Sequence, residues 1–456
     1  MKWLTLSLLF ITQFLNAQNS FQKLDDAFKK LSQDSSYSKA DISFALRDTK
    51  TGKLLYAQNK DILLAPASTL KTFTTASALN ILGEDYKYQT KISFRGIIKD
   101  RIGFGDLIIR GSGDPSFGSD RYPETKPDLI KKQILVALQK AGIEILKGKI
   151  IIVTNIFRDN AINTGWLDED IGNYYGAGIY GLNWRENKFE INLIPTDSSF
   201  KVSSNTGGYD NDKDFCIELI HKDGATTEEA FAFVEKHTTC KYVLRGVLSN
   251  KEKIHNMQLA SLQPDIDFKN ELISYLKKEI HFELKDTNIT GKEILLTTIY
   301  SPPLSKLVYW CNQKSLNLYA ESFCKTMGLK TFKKGSWPFG TASILLFANQ
   351  NKINVQSVYL KDGSGLAPEN KITTSILSEL LAMYTKQKWY STFYESLPSI
   401  NGLIMKSGYI GGTRAYSGYI KLKDGTDASF AFIIHNYSCT PRETKLNMFR
   451  ILDLLK

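Results

Sequence analysis

Ala65-Pro66-Ala67-Ser68-Thr69-Leu70-Lys71-Thr72-Phe73 is the stretch around which the rest of the chain is arranged. Pro66 suits the start of a helix, and Leu70, Phe73 and Leu79 follow at roughly helical spacing. The spacing predicts a helix over about 68–82. Ser68 and Lys71 are three apart, so a helix projects both from one face and brings an amine to a hydroxyl. An unperturbed lysine, with a pKa near ~10.4, is charged at neutral pH and cannot take a proton. Desolvation or a second cation depresses that pKa and frees the amine to act as a base. Ser-x-x-Lys is a short pattern and recurs at Ser20, Ser36, Ser198, Ser274 and Ser322. Further motifs must single out Ser68.

Two such motifs lie downstream. Ser315-Leu316-Asn317 falls between two helical patterns, where a loop can present a hydroxyl and an amide. Lys406-Ser407-Gly408 follows the apolar run Leu403-Ile404-Met405, so a strand end offers a lysine, a hydroxyl and bare backbone. Ser203-Ser204-Asn205 and Lys50-Thr51-Gly52 spell the same patterns, but each reads as a polar turn and breaks the chain order. Ser68, Ser315 and Lys406 keep the order S-x-x-K, S-x-N, K-[ST]-G, each in its expected helix, loop or strand.

Composition narrows the class. With 456 residues, 42% of them hydrophobic, the chain can bury a large core and divide into two or three domains. Lys2, the apolar run Trp3–Leu15 and Asn16-Ala17-Gln18 read as a signal peptide over 1–17, too short an apolar run for a membrane span. An exported protein of the periplasm or cell envelope, without a stable membrane span, is expected. The net charge of +11 favours anionic envelope polymers, although dispersed lysines fit solvated faces equally well. No basic cluster or recognition motif indicates nucleic acid. Five cysteines cannot all pair internally; Cys216 and Cys240, each ahead of a strand-like run, are the expected disulfide. Cys311 and Cys324 sit in helical patterns and read as small core residues. The five histidines are scattered without metal-binding spacing, so neither a metal nor a cofactor is expected. The glycines of Gly111-Ser112-Gly113 do not fit a nucleotide loop.

Phe21, Leu24, Phe28 and Leu31 predict a first helix, and 41–57 a strand–turn–strand. From about 88 to 290 the pattern is one of short strands (88–98, 106–110, 148–154, 189–194, 214–220, 240–247) with helices near 128–141 and 268–282. Helices follow from 303, at 318–328 and at 373–386, then strands near 402–409, 414–422 and 427–437, and a last helix at 443–455. Strands near both ends of the chain predict one α/β domain built from both ends, interrupted by a β-rich insertion.

With its motifs in this order, the sequence resembles the class C low-molecular-mass penicillin-binding proteins, exported serine D-alanyl-D-alanine carboxypeptidases/endopeptidases. The 315 − 68 = 247 residues between the first two motifs match the long insertion of that family. Leu107-Ile108-Ile109-Arg110-Gly111-Ser112-Gly113-Asp114-Pro115-Ser116, Tyr175-Gly176-Ala177-Gly178 and Asn183-Trp184-Arg185-Glu186-Asn187 are similar to segments of it. Asp362-Gly363-Ser364-Gly365-Leu366 matches a loop these enzymes carry between the last two motifs. Leu316 stands where many relatives have aspartate, and Ser407 where threonine is commoner. The segment from the Asp362 loop to Lys406 is short, and Ala367-Pro368-Glu369-Asn370 replaces a region where relatives can carry an arginine.

The resemblance implies a penicillin-binding/β-lactamase-like transpeptidase domain, an antiparallel sheet with flanking helices, over 18–90 and 290–456, with the β-rich insertion at 91–289. It implies that Ser68 attacks the penultimate D-alanine carbonyl of a peptidoglycan stem peptide, and that β-lactams acylate the same serine. Lys71 would take the serine proton, its pKa lowered by burial and by Lys406, and Ser315 would pass a proton to the leaving D-alanine. Asn317 would hold the substrate amide, with Lys406 and Ser407 at the terminal carboxylate. Gly408 would line the cleft as bare backbone, and the backbone N–H groups of Ser68 and Tyr409 would form the oxyanion hole. All three motifs lie outside the insertion, which is therefore expected to shape access rather than supply catalytic groups. The competing readings are a β-lactamase, for which no placed glutamate motif is found, and a non-catalytic wall-binding protein, which intact motifs argue against.

Overall fold

The computed structural model describes residues 21–222, 229–235, 239–249, 251–285 and 291–456. The expected signal peptide, 1–17, lies outside the described residues. Two compact units emerge. One comprises Met1–Glu84, Val308–Ser315 and Gly340–Lys456; the other comprises Asp85–Leu307 and Leu316–Phe339.

The first unit is built on a six-stranded antiparallel sheet, in the order Ser399–Ile400, Leu403–Ile410, Thr413–Lys421, Asp427–His435, Asp41–Asp48, Leu54–Gln58. Its two ends of chain meet in register, from Asp41 opposite His435 to Asp48 opposite Ala428. Period-two alternation sends Phe44, Leu46, Phe430, Phe432 and Ile434 to one face. There the helix over 21–33 contributes Leu24, Phe28 and Leu31, and the helix Pro441–Asp453 contributes Met448, Ile451 and Leu452. Thr440 and Glu443 cap that last helix reciprocally, with Pro441 in its first turn. The opposite face carries small hydroxyl residues that bond the helix Thr374–Tyr384: Ser43 Oγ lies 2.7 Å from Thr374 Oγ1, and Ser429 Oγ donates to Ser378 O at 2.8 Å.

Among the described residues the second unit holds three sheets. The largest runs His281–Leu284, Ile145–Gly148, Ile102–Arg110, Gln89–Lys99, Glu293–Tyr300, with Ile150–Val153 also pairing on Ile102–Arg110. Its core takes Ile130, Ile134 and Leu138 from the helix Pro127–Lys140, and Phe268, Leu272 and Leu276 from Pro264–Glu279. These are i, i+4 stripes. Two three-stranded sheets share a further core of Phe189, Phe215, Leu244 and Leu259. Cys216 and Cys240 form a disulfide there, with their Cα atoms 5.7 Å apart.

The helix Asn317–Phe332 belongs to this unit, tied by buried polar contacts. Tyr319 donates its hydroxyl to Glu186 at 2.9 Å, and Lys325 pairs with Asp159 at 2.7 Å and lies 3.6 Å from the Trp337 ring centroid. Among the helices that the sequence pattern did not suggest are Trp337–Gln350, whose first turns contain Pro338 and Gly340, and Tyr390–Ser396. The expected serine helix starts later than 68: a 3-10 turn over Ala67–Leu70 leads into the α-helix Lys71–Leu82.

Candidate active site

Ser68 sits in that 3-10 turn rather than in the helix proper. The residue before it, Ala67, is held at φ 47°, a left-handed conformation that costs an alanine energy and survives only where neighbours impose it. Two glycines let those neighbours approach. A Cβ at Gly365, itself at φ 83°, would stand 1.9 Å from the Ala67 carbonyl oxygen. A Cβ at Gly408 would stand 2.8 Å from Pro66 O and 3.0 Å from Ser68 N. The nucleophile turn is thus gripped by the 362–367 loop and by the strand Leu403–Ile410.

Lys71 opens the α-helix and is fully buried. Its Nζ lies 2.9 Å from Ser68 Oγ and donates to the Ser364 carbonyl at 2.8 Å. Lys406, on the neighbouring strand, is 1% exposed, and its Nζ donates to Ser315 Oγ and to its own neighbour's carbonyl, Ser407 O, both at 2.9 Å. Desolvation, and then the Lys71 cation, push the Lys406 amine down to about 7; Cys311 acts weakly the other way. Ser315 closes the helix Leu304–Lys314 at φ 57°. Buried Asn312, one turn earlier, anchors that helix end by donating to Ser396 Oγ at 2.8 Å and Thr75 Oγ1 at 3.2 Å.

The structure therefore gathers Ser68, Lys71, Ser315 and Lys406 into two hydroxyl–amine pairs within the first unit. Ser407 is half-buried on the same strand, Gly408 abuts the nucleophile turn, and Tyr409 is 51% exposed. Asn317 falls in the second unit, where its Nδ2 donates to Tyr175 O at 2.8 Å. The look-alike motifs lead elsewhere. Lys50-Thr51-Gly52 forms a surface turn in which Asp48 accepts from Thr51 N, and Ser203–Asn205 ends a strand with little burial.

Sequence reasoning assigned no role to the loop around Asp362, although it singled out those residues. The buried Asp362 carboxylate accepts from Gly365 N at 2.8 Å, Ala367 N at 2.7 Å and Asn370 Nδ2 at 2.9 Å. Asn370 in turn accepts from Lys361 N, and Thr74 Oγ1 donates to Gly363 O at 2.5 Å. An aspartate followed by Gly-Ser-Gly, with an asparagine eight residues on, is the available signal: a carboxylate, small residues for a tight loop, and an amide to close it. Among the described residues no group of three His, Cys, Asp or Glu is placed to hold a metal ion.

A hydroxyl beside a buried amine, with a second hydroxyl–amine pair alongside, equips a site for acyl transfer. One pair can supply a nucleophile and base, the other a proton donor. The family model described as the D-Ala-D-Ala carboxypeptidase 3 (S13) family matches residues 24–403. The D-alanyl-D-alanine carboxypeptidase DacB of Haemophilus influenzae is 22% identical over 436 residues, covering 89% of this chain and 88% of that protein. A D-alanyl-D-alanine carboxypeptidase of Actinomadura sp. (strain R39) is 24% identical over 435 residues, covering 85% and 76%. The crystal structure of penicillin binding protein 4 (dacB) from Haemophilus influenzae superposes with a TM-score of 0.78 at 20% identity, covering 94% of this chain and 98% of that one. The same protein complexed with a β-lactam gives a TM-score of 0.72 at 19% identity over 94% and 97%.

Proposed function

The chain belongs to the D-Ala-D-Ala carboxypeptidase 3 (S13) family, serine hydrolases of the D-Ala-D-Ala bond, and on that premise we propose that Ser68 is its nucleophile and peptidoglycan stem peptides its substrates. The observation that carries this reading is the buried Lys71 amine 2.9 Å from Ser68 Oγ. Ser68 Oγ bonds to the carbonyl carbon of the penultimate D-alanine while Lys71 Nζ takes its proton. The C–N bond then breaks, and the terminal D-alanine leaves with a proton from Ser315 Oγ, which Lys406 replenishes. A Lys406 amine near neutrality suits that exchange, because a proton donor works best with a pKa close to the operating pH. Water then attacks the Ser68 ester and gives a proton back through Ser315 to Lys406; the ester C–O bond breaks, Ser68 Oγ recovers the proton held on Lys71, and the shortened peptide leaves as its carboxylic acid, restoring the enzyme.

Asn317 holds the substrate amide, and Lys406 with Ser407 receives the terminal carboxylate. The backbone N–H groups of Ser68 and Tyr409 receive the oxyanion; losing one such donor costs roughly 2.7–4 kcal/mol. β-Lactams enter by the same attack and stay as acyl-enzymes, a reading supported by the β-lactam complex solved for the Haemophilus relative. Export to the periplasm or cell envelope accords with this substrate, and no helix of the described residues is long and apolar enough to cross a membrane.

The test is covalent labelling by fluorescent penicillin. Wild-type protein labels, and Ser68→Ala, folded to the same thermal midpoint, does not. Labelling of folded Ser68→Ala removes Ser68 as the nucleophile.

A further inference from the structure

Resting on the reading of Ser68 and Lys71 above, we propose that Asp362 is a positioning residue for the reaction: its buried carboxylate acts on the Lys71 amine through the peptide plane joining Ser364 to Gly365. Its N–H, from Gly365, donates to Asp362 Oδ1 at 2.8 Å. Its carbonyl, from Ser364, accepts from Lys71 Nζ at 2.8 Å. A peptide unit is planar, with its N–H and C=O pointing in opposite directions. A carboxylate on the N–H side therefore fixes where the carbonyl aims and draws electron density toward it, strengthening it as an acceptor.

The other bonds to this loop keep the plane from turning. Asp362 Oδ2 accepts from Ala367 N, Asn370 Nδ2 donates to Oδ1, and Thr74 Oγ1 holds the Gly363 carbonyl. Gly365 lies so close to the Ala67 carbonyl that the loop and the nucleophile turn move together. One device thus sets both the amine and the serine it serves.

The consequence is chemical as well as geometric. Among the charged groups that bear on the Lys71 amine are Lys406, on the neighbouring strand, and Asp362, joined to it through the Ser364–Gly365 peptide; the Cys311 thiol of the helix Leu304–Lys314 acts on Lys406. Lys406 opposes a proton on Lys71, and Asp362, one peptide plane away, favours it. As Ser68 Oγ bonds to the substrate carbon, its proton passes to Lys71, and the cation that forms is stabilised along the line to Asp362. Removing the carboxylate slows acylation and makes the lysine easier to deprotonate.

The experiment measures penicillin acylation rates from pH 5 to pH 10 for the full chain and two variants. Asp362→Asn is expected to lower the maximal rate at least tenfold and to move the acid limb of the profile to lower pH by half a unit or more. Asn370→Ala loosens the loop but keeps the carboxylate and its bond to the Gly365 N–H; it is expected to lower the thermal midpoint and to move the limb less than Asp362→Asn does. An unmoved limb in folded Asp362→Asn, or the same displacement in both variants, overturns the proposal and reduces Asp362 to a loop support. Should Asp362→Asn not fold, Asp362→Glu decides, since its longer side chain cannot keep the Gly365 N–H in the same geometry. A smaller displacement in the same direction supports the proposal, and an unmoved limb overturns it. Ser68→Ala separates the two levels: labelling that survives it defeats the functional reading, whereas labelling that Ser68→Ala abolishes and an unmoved limb defeat this inference alone.

Discussion

A lysine sealed from water beside a second lysine is stable only when one of the two can release its proton. Here the pair holds one proton between them: the Lys406 amine is pushed down to about 7 by burial and by the charge on Lys71, and Lys71 serves as base in the form that carries the proton on Lys406. Between about pH 7 and the ordinary lysine value near ~10.4, the unfolded chain holds a proton at this position that the folded chain has released. Stability therefore rises with pH across that window, and below it the burial penalty on the charged amine is felt in full. Lys406→Met removes the linkage: denaturant midpoints at pH 7 and pH 9.5 should differ less in the variant than in wild type, and penicillin labelling should fall at least a hundredfold. A midpoint difference equal to that of wild type would show that the linkage lies elsewhere.

Lys325 makes the contrast. It too ends a Ser-x-x-Lys tetrapeptide and is buried, and burial lowers its proton affinity, but Asp159 pulls the other way. Its amine donates to Asn160 O at 3.1 Å, in a polar cluster rather than toward a nucleophile. Lys325→Met, by leaving Asp159 without its cation, should cost on the order of 3 kcal/mol in chemical denaturation. Labelling per folded molecule should stay within a few-fold.

At the scale of elements, the sheet carrying the disulfide is a small one. The strands Phe215–His221 and Tyr242–Leu248 pair in parallel, which requires a long connection, and Cys216 and Cys240 close it across 24 residues. Cross-linking a loop of that size stabilises by about 3 kcal/mol in the chain-entropy treatment. Cys216→Ala with Cys240→Ala should therefore lower stability by roughly that amount, read from denaturant unfolding. Penicillin acylation should be unchanged, since no group assigned to the chemistry lies on these strands. Non-reducing peptide mapping of the wild-type protein should recover the two cysteines in one linked fragment. The spacing of strand-like runs around Cys216 and Cys240 made this pair readable in advance. The strand Glu229–Phe233 between them was not, because it earns its place by pairing with Tyr242–Leu248 rather than by its own pattern.

For the molecule as a whole, the second compact unit and the expected insertion are different sets of residues. The unit adds 316–339 to the 85–307 stretch, so the helix that begins at Asn317 packs among groups far from it in sequence. Tyr319 is buried against Glu186, which also accepts from Ser119 Oγ and Arg121 Nε, and Lys325 is buried against Asp159. Replacing 91–289 by a short linker would strip both polar residues of their partners, and breaking a buried pair of this kind costs roughly 3–5 kcal/mol. Although the excised residues include none of the proposed catalytic side chains, the shortened protein should lose penicillin labelling because the Asn317 helix no longer has a core. A shortened protein that folds and acylates within tenfold of the full chain would show that helix to be independent of the excised segment.

The sequence by itself determined the order of the chemistry: Ser68 with Lys71, Ser315 with Asn317, and Lys406 with Ser407 are local patterns, each readable from spacing on one helix, loop or strand. It also carried the alternation that builds the first sheet from both ends of the chain, because Phe44 and Phe432 face the same core whichever end supplies them. Only the tertiary structure decided what surrounds those patterns. Ser-x-x-Lys occurs at five other positions in the sequence; at the Lys71 amine a loop 293 residues away turns a carbonyl to it. Lys406 lies near neutrality because burial and a second cation act on it together, and neither is a property of its neighbours in sequence. Charge, burial and aim are set by groups distant along the chain, and only folding brings them within reach.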